Sequence, residues 1–197
     1  MKLYKLTDKD GYTYNPSLLW GVGVTHTAAK GKPKLCSPTV IHAYTSPLLA
    51  ELMDRLHGNY GATKLLWEAE GDVVISDGLK VGVKQLTTVS QIDVPSLTTV
   101  QRVAFAIYCG MEVYNDLSYH AWAGKWLSGE DRSGKAAYAA AYAADAAAYT
   151  AADAAYTTAA AYAADAAAYT AVYAARSKPT IDFVSLADLA EKAMRVV

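Results

Sequence analysis

The side chains best suited to chemistry are His26, His42, His57, His120, Cys36, Cys109 and a carboxylate pair, Glu68 and Glu70. Imidazoles and carboxylates of this kind serve general acid–base chemistry, and a thiolate serves nucleophilic chemistry. No two histidines stand at HxH or HxxxH spacing and there is no CxxC pair, so no metal site is expected. His42 alternates with Ile41 and Ala43 in a candidate strand, which puts Tyr44 on the same face as His42. That pair is either a satisfied structural histidine with its neighbour or part of a ligand pocket. Cys36 precedes Ser37-Pro38 in a loop, and a nucleophilic role would require a base that the sequence does not place. Gly21-Val22-Gly23 lacks the rest of a dinucleotide fingerprint, so no cofactor is expected. Glu68 and Glu70 share one strand face, as a carboxylate pair or as a plain exposed edge. No residue is assigned as catalytic. The candidate ligand pocket is His26, His42, Tyr44, Glu68 and Glu70.

A second constellation lies in the block Ala136–Ala175, whose 40 residues comprise 25 Ala, 7 Tyr, 4 Thr, 3 Asp and Val172. The string AYAADAAAYTA occurs at both Ala141–Ala151 and Ala161–Ala171. Alanine is the strongest helix former and no Gly or Pro interrupts the block, so it reads as helix. At about 100° per residue, Tyr138, Tyr142, Tyr149 and Tyr156 form one stripe, and Tyr162, Tyr169 and Tyr173 a second on nearly the opposite side. Asp145 lies between Tyr142 and Tyr149, and Asp165 between Tyr162 and Tyr169, so each carboxylate shares a face with phenols. Two arrangements satisfy this pattern. One is a continuous rod of ~60 Å; the other breaks near Thr157-Thr158 into a hairpin. The rod is favoured because that stretch has no Gly, Asn or Pro. The smooth alanine surface and the tyrosine rows would then seek a partner outside the chain's own β-rich half.

These groups require elements to position them. Residues 1–95 read as a β-rich α+β domain with strands at Lys2–Thr7, Gly21–Thr27, Val40–Tyr44, Lys64–Glu70, Leu79–Val83 and Leu86–Val94. Asp10-Gly11, Asn15-Pro16, Gly31-Lys32-Pro33 and Asp77-Gly78 are the turn signals. Ser46 and Pro47 open a helix to about Leu56. Residues 96–133 read as a helical bridge. A capping box at Thr98 and Gln101 starts a helix to about Tyr114, and a second runs over Leu117–Leu127. Trp122 and Trp126 are expected to anchor that helix against the β-rich half. Residues 134–197 hold the long helix, capped by Ser133, and an amphipathic helix over about Asp182–Arg195 that could fold back on it. The expected class is therefore α+β.

The formal net charge of −1 gives no drive toward nucleic acid, and the alanine block carries Asp but no Lys or Arg. Asp145, Asp153 and Asp165 argue against a membrane span in the same block. Two cysteines and no apolar run after Met1 give a cytoplasmic expectation.

Tyr4-Lys5, Asp8-Lys9-Asp10-Gly11, Cys36, Ile41-His42-Ala43, Pro47-Leu48, Leu66-Trp67-Glu68 with Gly71, and Leu79-Lys80-Val81-Gly82 resemble an uncharacterised domain of phage and prophage proteins. Thr98–Tyr114 and Trp126–Gly129 are similar to members with alanine-rich tails. Such arrays are also similar to proteins described as bacterial immunity proteins. The resemblance implies a phage or mobile-element setting, in the host cytoplasm, and no mechanism. Thr39-Val40 stands where members often carry Gly-Trp or Gly-Phe before the histidine.

The resulting expectation is a non-enzymatic binding or assembly protein that forms a homo-oligomer or contacts a host protein through the Ala/Tyr surface. The alternative is a small-ligand or nucleotide-binding domain. Its succession of a Tyr-bearing strand, a His/Tyr strand with a helix, and Glu-bearing strands resembles a reduced ADP-ribosyltransferase layout. A minor alternative is ice binding, because Thr150–Ala155 resembles part of the alanine-rich antifreeze helices, although tyrosines interrupt the face.

Overall fold

Strands at Lys2–Thr7 (β1), Thr25–Thr27 (β2), Ile41–Ala43 (β3), Leu65–Glu70 (β4), Val73–Ser76 (β5), Val81–Val83 (β6) and Gln85–Ile92 (β7) occupy the N-terminal half. The helices are Pro47–His57 (α1), Thr99–Val113 (α2), Leu117–Ser128 (α3), Gly134–Tyr142 (α4) and Phe183–Ala193 (α5). The computed structural model describes residues 1–13, 18–142, 151, 165–166, 169–174 and 183–197. The α+β layout expected from the sequence is thus present. The chain divides into two compact units, Met1–Pro95 with Asp182–Ala187, and Ser96–Ile181 with Asp188–Val197.

In the first unit, two antiparallel sheets have orders β1-β4-β7-β2 and β3-β6-β5. They are stitched where the Tyr4 and Tyr44 backbones exchange hydrogen bonds of 2.8 and 2.9 Å. Leu3, Trp20, Ile41, Ala43, Trp67, Ala69, Val81, Val83 and Leu86 form the core of this unit. The Trp67 indole N–H reaches Thr7 Oγ1 at 3.0 Å, so the one polar edge of that ring is satisfied inside the core.

Helix α1 begins because Ser46 Oγ accepts from Leu49 N and Pro47 supplies a preset first turn. Its inner face carries Leu49, Leu52 and Met53, all buried. On the same helix Glu51 and Asp54 clasp the Lys64 ammonium at 2.9 and 2.8 Å, with all three side chains at most 9% exposed.

Two expected strands start later than the sequence suggests, and one strand was not expected. The strand expected at Gly21–Thr27 is regular only over Thr25–Thr27, because Gly23 turns with φ 75° and Val24 N closes on Gly21 O, although Gly23 N and Val24 O still bond the Thr88 backbone. The strand expected from Leu79 starts at Val81, because Leu79 N and Lys80 N are held by Asp77 Oδ1 in the turn. Strand β5 was not expected. Its Val73-Val74-Ile75 run gives no polar alternation, and it lies at a sheet edge with a register shift against β6.

In the second unit the Thr98/Gln101 capping box is fully formed at the start of α2. Asp116 caps α3, and Gly129 ends it in the left-handed conformation at φ 81°. Trp122 and Trp126 are buried. Their described ring partners lie in the helical unit itself: Tyr119 beside Trp122, and the Arg132 guanidinium 4.9 Å over Trp126. Ser133 Oγ accepts from Ala136 N, as the cap of α4. The end of α5 is tied to α2, with Gln101 donating to Met194 O and Lys192 lying 4.3 Å over the Tyr108 ring.

Ala137, Ala151, Ala166, Ala171 and Ala174 are buried to 2% exposure or less, whereas Tyr138, Tyr169 and Tyr173 stay exposed and Asp165 is partly buried. The side chains of Tyr142, Asp145, Tyr149, Asp153, Tyr156 and Tyr162, and with them the choice between rod and hairpin, lie outside the described residues. Asn15-Pro16 and the Thr150–Ala155 string, Ala151 apart, also lie outside them. Among the described residues no helix is long and apolar enough to cross a membrane.

Candidate functional site

Alternation along β3 sends Ile41 and Ala43 into the core and leaves His42 and Tyr44 on the opposite face. That face forms one wall of a cleft of about 520 Å3. Strand β1 contributes Lys5, β2 contributes His26, the end of α1 contributes His57, and the turn before β6 contributes Lys80. Trp20, Cys36 and Tyr60 complete the polar and aromatic lining.

Of the five residues expected to form a pocket, His26, His42 and Tyr44 line this cleft and Glu68 and Glu70 do not. Glu68 is instead bound to Lys2 at 2.9 Å across the β1–β4 pair, and Glu70 is exposed at the end of β4. The bulge between Glu68 and Ala69 marks the point where β4 changes register on β7. The carboxylates of the transferase-like layout are therefore not in the cleft that holds the His/Tyr pair.

Three residues outside the expected pocket, Asp77, Lys80 and His57, orient the Tyr44 hydroxyl. Lys80 Nζ bridges Asp77 Oδ2 at 3.1 Å and His57 Nε2 at 3.2 Å. An ammonium only donates, so His57 Nε2 is the acceptor and the ring proton sits on Nδ1. His57 Nδ1–H then donates to Tyr44 Oη at 2.9 Å. This leaves the Tyr44 hydroxyl proton without a protein acceptor among the described contacts. Burial holds the Tyr44 phenol protonated by pushing its pKa well above the usual tyrosine value, with the Asp54 charge adding to the effect. Burial lowers His57 to about 4, and the Lys80 charge adds to this.

His42 is fixed in the same manner by a different donor. The Cys36 backbone N–H donates to His42 Nε2 at 2.9 Å, so the proton of this ring is on Nδ1. Cys36 makes that bond from a left-handed backbone conformation, φ 57°. Burial, followed by the charges of Lys5 and Lys80, lowers His42 to about 4. His42 and His57 are therefore neutral imidazoles at pH 7.

Lys5 Nζ donates to His42 O at 2.8 Å and sits 5.5 Å from the Trp20 ring centroid. Burial lowers its amine to about 8. Lys5 shares strand parity with Leu3 and Thr7, both fully buried, and a lysine on the core-facing parity of a strand is the sequence signal that would have found it. Trp20 is 3% exposed, and its Nε1–H is closed off from solvent with no acceptor among the described residues. His26 packs edge-on against Trp20, with ring centroids 4.6 Å apart, and bonds Leu19 O through Nε2.

The wall of the cleft is thus rich in donors: Lys5, Lys80 and Tyr44. No Asp or Glu is among its lining residues. Such a wall binds acceptors and negative charge, and its aromatic and aliphatic surface suits an apolar or planar body. Among the described residues no group of three His, Cys, Asp or Glu could hold a metal ion. No protein-family model matches this chain, and neither curated proteins nor solved structures contain a significant match to it.

Proposed function

We propose that the N-terminal unit binds a small organic anion with an apolar or planar body in the cleft beside His42 and Tyr44. The observation that carries this reading is the Tyr44 hydroxyl, whose proton meets no acceptor among the described contacts, beside Lys5 and Lys80 in a wall without a carboxylate among its described lining residues. A bound carboxylate or phosphate oxygen would give that hydroxyl its acceptor, a hydrogen bond of about 1 kcal/mol. The volume of about 520 Å3 suits an ordinary small-molecule ligand. Nucleotide-derived ligands meet the same demands, with phosphate for the donors and a ring for the Trp20 and His26 side. The test is thermal denaturation with millimolar NAD, AMP, benzoate or inorganic phosphate. A ring-bearing anion is expected to raise Tm more than phosphate does. No shift with any of them would defeat the reading, and a shift with benzoate but not with NAD or AMP would remove its nucleotide form.

A second reading concerns the helical unit, where Tyr138, Tyr169 and Tyr173 are exposed at 59, 49 and 39%. Exposed phenols above buried alanines support a role in self-association or host-protein contact, in a phage-encoded setting. Sedimentation at micromolar concentration should give a particle heavier than one chain. A monomer there would count against self-association.

A further inference from the structure

We propose that Lys5 captures small anions bearing an aldehyde or 2-oxo carbonyl by forming an imine inside the cleft. The inference rests on the anion-binding reading above and adds a covalent step to it. Lys2, Lys64 and Lys80 each stand within 3.1 Å of a carboxylate that fixes the ammonium. Lys5 has no carboxylate among its described contacts. Its amine bonds a neutral carbonyl, His42 O, and lies against the Trp20 ring in the cleft wall. Without a carboxylate partner the amine gives up its proton more readily than the paired lysines, and only the neutral form carries the attacking lone pair. The lowering of Lys5 to about 8 by burial agrees with the same placement.

The chemistry balances without a co-reactant. The amine lone pair forms the C–N bond while the carbonyl π pair moves onto oxygen. Both amine protons pass to that oxygen, which departs as water, and the nitrogen pair closes the C=N bond. Nothing is oxidised or reduced. The Tyr44 hydroxyl and the Lys80 ammonium are the wall donors available to the substrate's anionic group and to the departing oxygen.

The test uses the full chain with two probes, glyoxylate and pyridoxal 5′-phosphate, each followed by borohydride reduction and peptide mass mapping. The expected result is an adduct concentrated at Lys5 with at least one probe, ahead of the exposed Lys30, Lys32 and Lys34. A Lys5→Met variant should lose that adduct, and Lys84→Met should keep it. Adducts spread over the exposed lysines without enrichment at Lys5, or none with either probe, would overturn the inference. Pyridoxine 5′-phosphate, which has no carbonyl, reports on the cleft separately through thermal denaturation. Stabilisation by it without a Lys5 adduct would defeat the imine and leave the binding reading standing. Absence of both effects would defeat both.

Discussion

At the residue scale, the hydroxyl of Tyr44 is oriented by a chain of donors that begins at a surface carboxylate. Asp77 holds Lys80, Lys80 donates to His57, and His57 donates to Tyr44. Each bond fixes the direction of the next, and the Tyr44 hydroxyl proton meets no acceptor among the described contacts. Tyr44→Phe should weaken binding of a cleft anion by about fivefold to tenfold, the value of one hydrogen bond near 1 kcal/mol. It should also lower stability by about 1–3 kcal/mol, because His57 Nδ1–H loses its acceptor. Calorimetric titration and urea denaturation separate the two effects. The His42/Tyr44 pair was legible in the sequence because period-two alternation alone puts them on one face. Lys5, His57 and Lys80 were not, since they meet that face from three elements far apart along the chain. Glu68 and Glu70 were misplaced for a related reason. Parity gave their shared face correctly, but not which of two sheets that face belonged to.

At the scale of elements, capping and turn chemistry were the most readable features. Ser46-Pro47, Thr98 with Gln101, and Asp77-Gly78 all act where their local chemistry put them. Strand β5 was hidden because a short edge strand needs only an apolar run and a neighbour. The clasp of Lys64 by Glu51 and Asp54 was also hidden, since it joins the middle of α1 to the residue before β4. Removing the lysine leaves two carboxylates facing each other away from water. Lys64→Met should therefore destabilise the protein by about 3–5 kcal/mol, read as a lowered urea midpoint. A Lys64→Met/Glu51→Leu/Asp54→Leu triple variant should recover most of that loss, because the unpaired charges go with it.

For the whole molecule, two histidines that stay neutral when folded set a pH dependence. His42 and His57 lie at about 4 in the folded protein, against an ordinary value of 6.5. Lys5 and Lys80 face these rings and oppose their protonation, and Asp77 favours it less strongly. As pH falls from 6.5 the unfolded chain takes up protons that the folded chain refuses, so stability falls until the folded rings titrate near 4. The loss should reach up to about 1.4 kcal/mol per pH unit for each ring. Urea midpoints measured between pH 7 and pH 4 check this, and a flat profile across that window would contradict it. Above the ordinary histidine value the same rings contribute no slope. This behaviour is not legible in the sequence, because it arises from burial of the rings on folding, with cations brought near them as the lesser cause, while the net charge of −1 looks featureless.

The two thiols differ in a way that is experimentally useful. Cys109 is fully buried inside α2, and burial pushes its pKa far above the usual thiol range, while Cys36 is exposed at the mouth of the cleft. One equivalent of a maleimide fluorophore should consequently attach at a single position in the native protein. The amide of that labelled residue clips the His42 ring, so the dye becomes a resident optical gauge of occupancy for screening compounds whose identity need not be guessed beforehand.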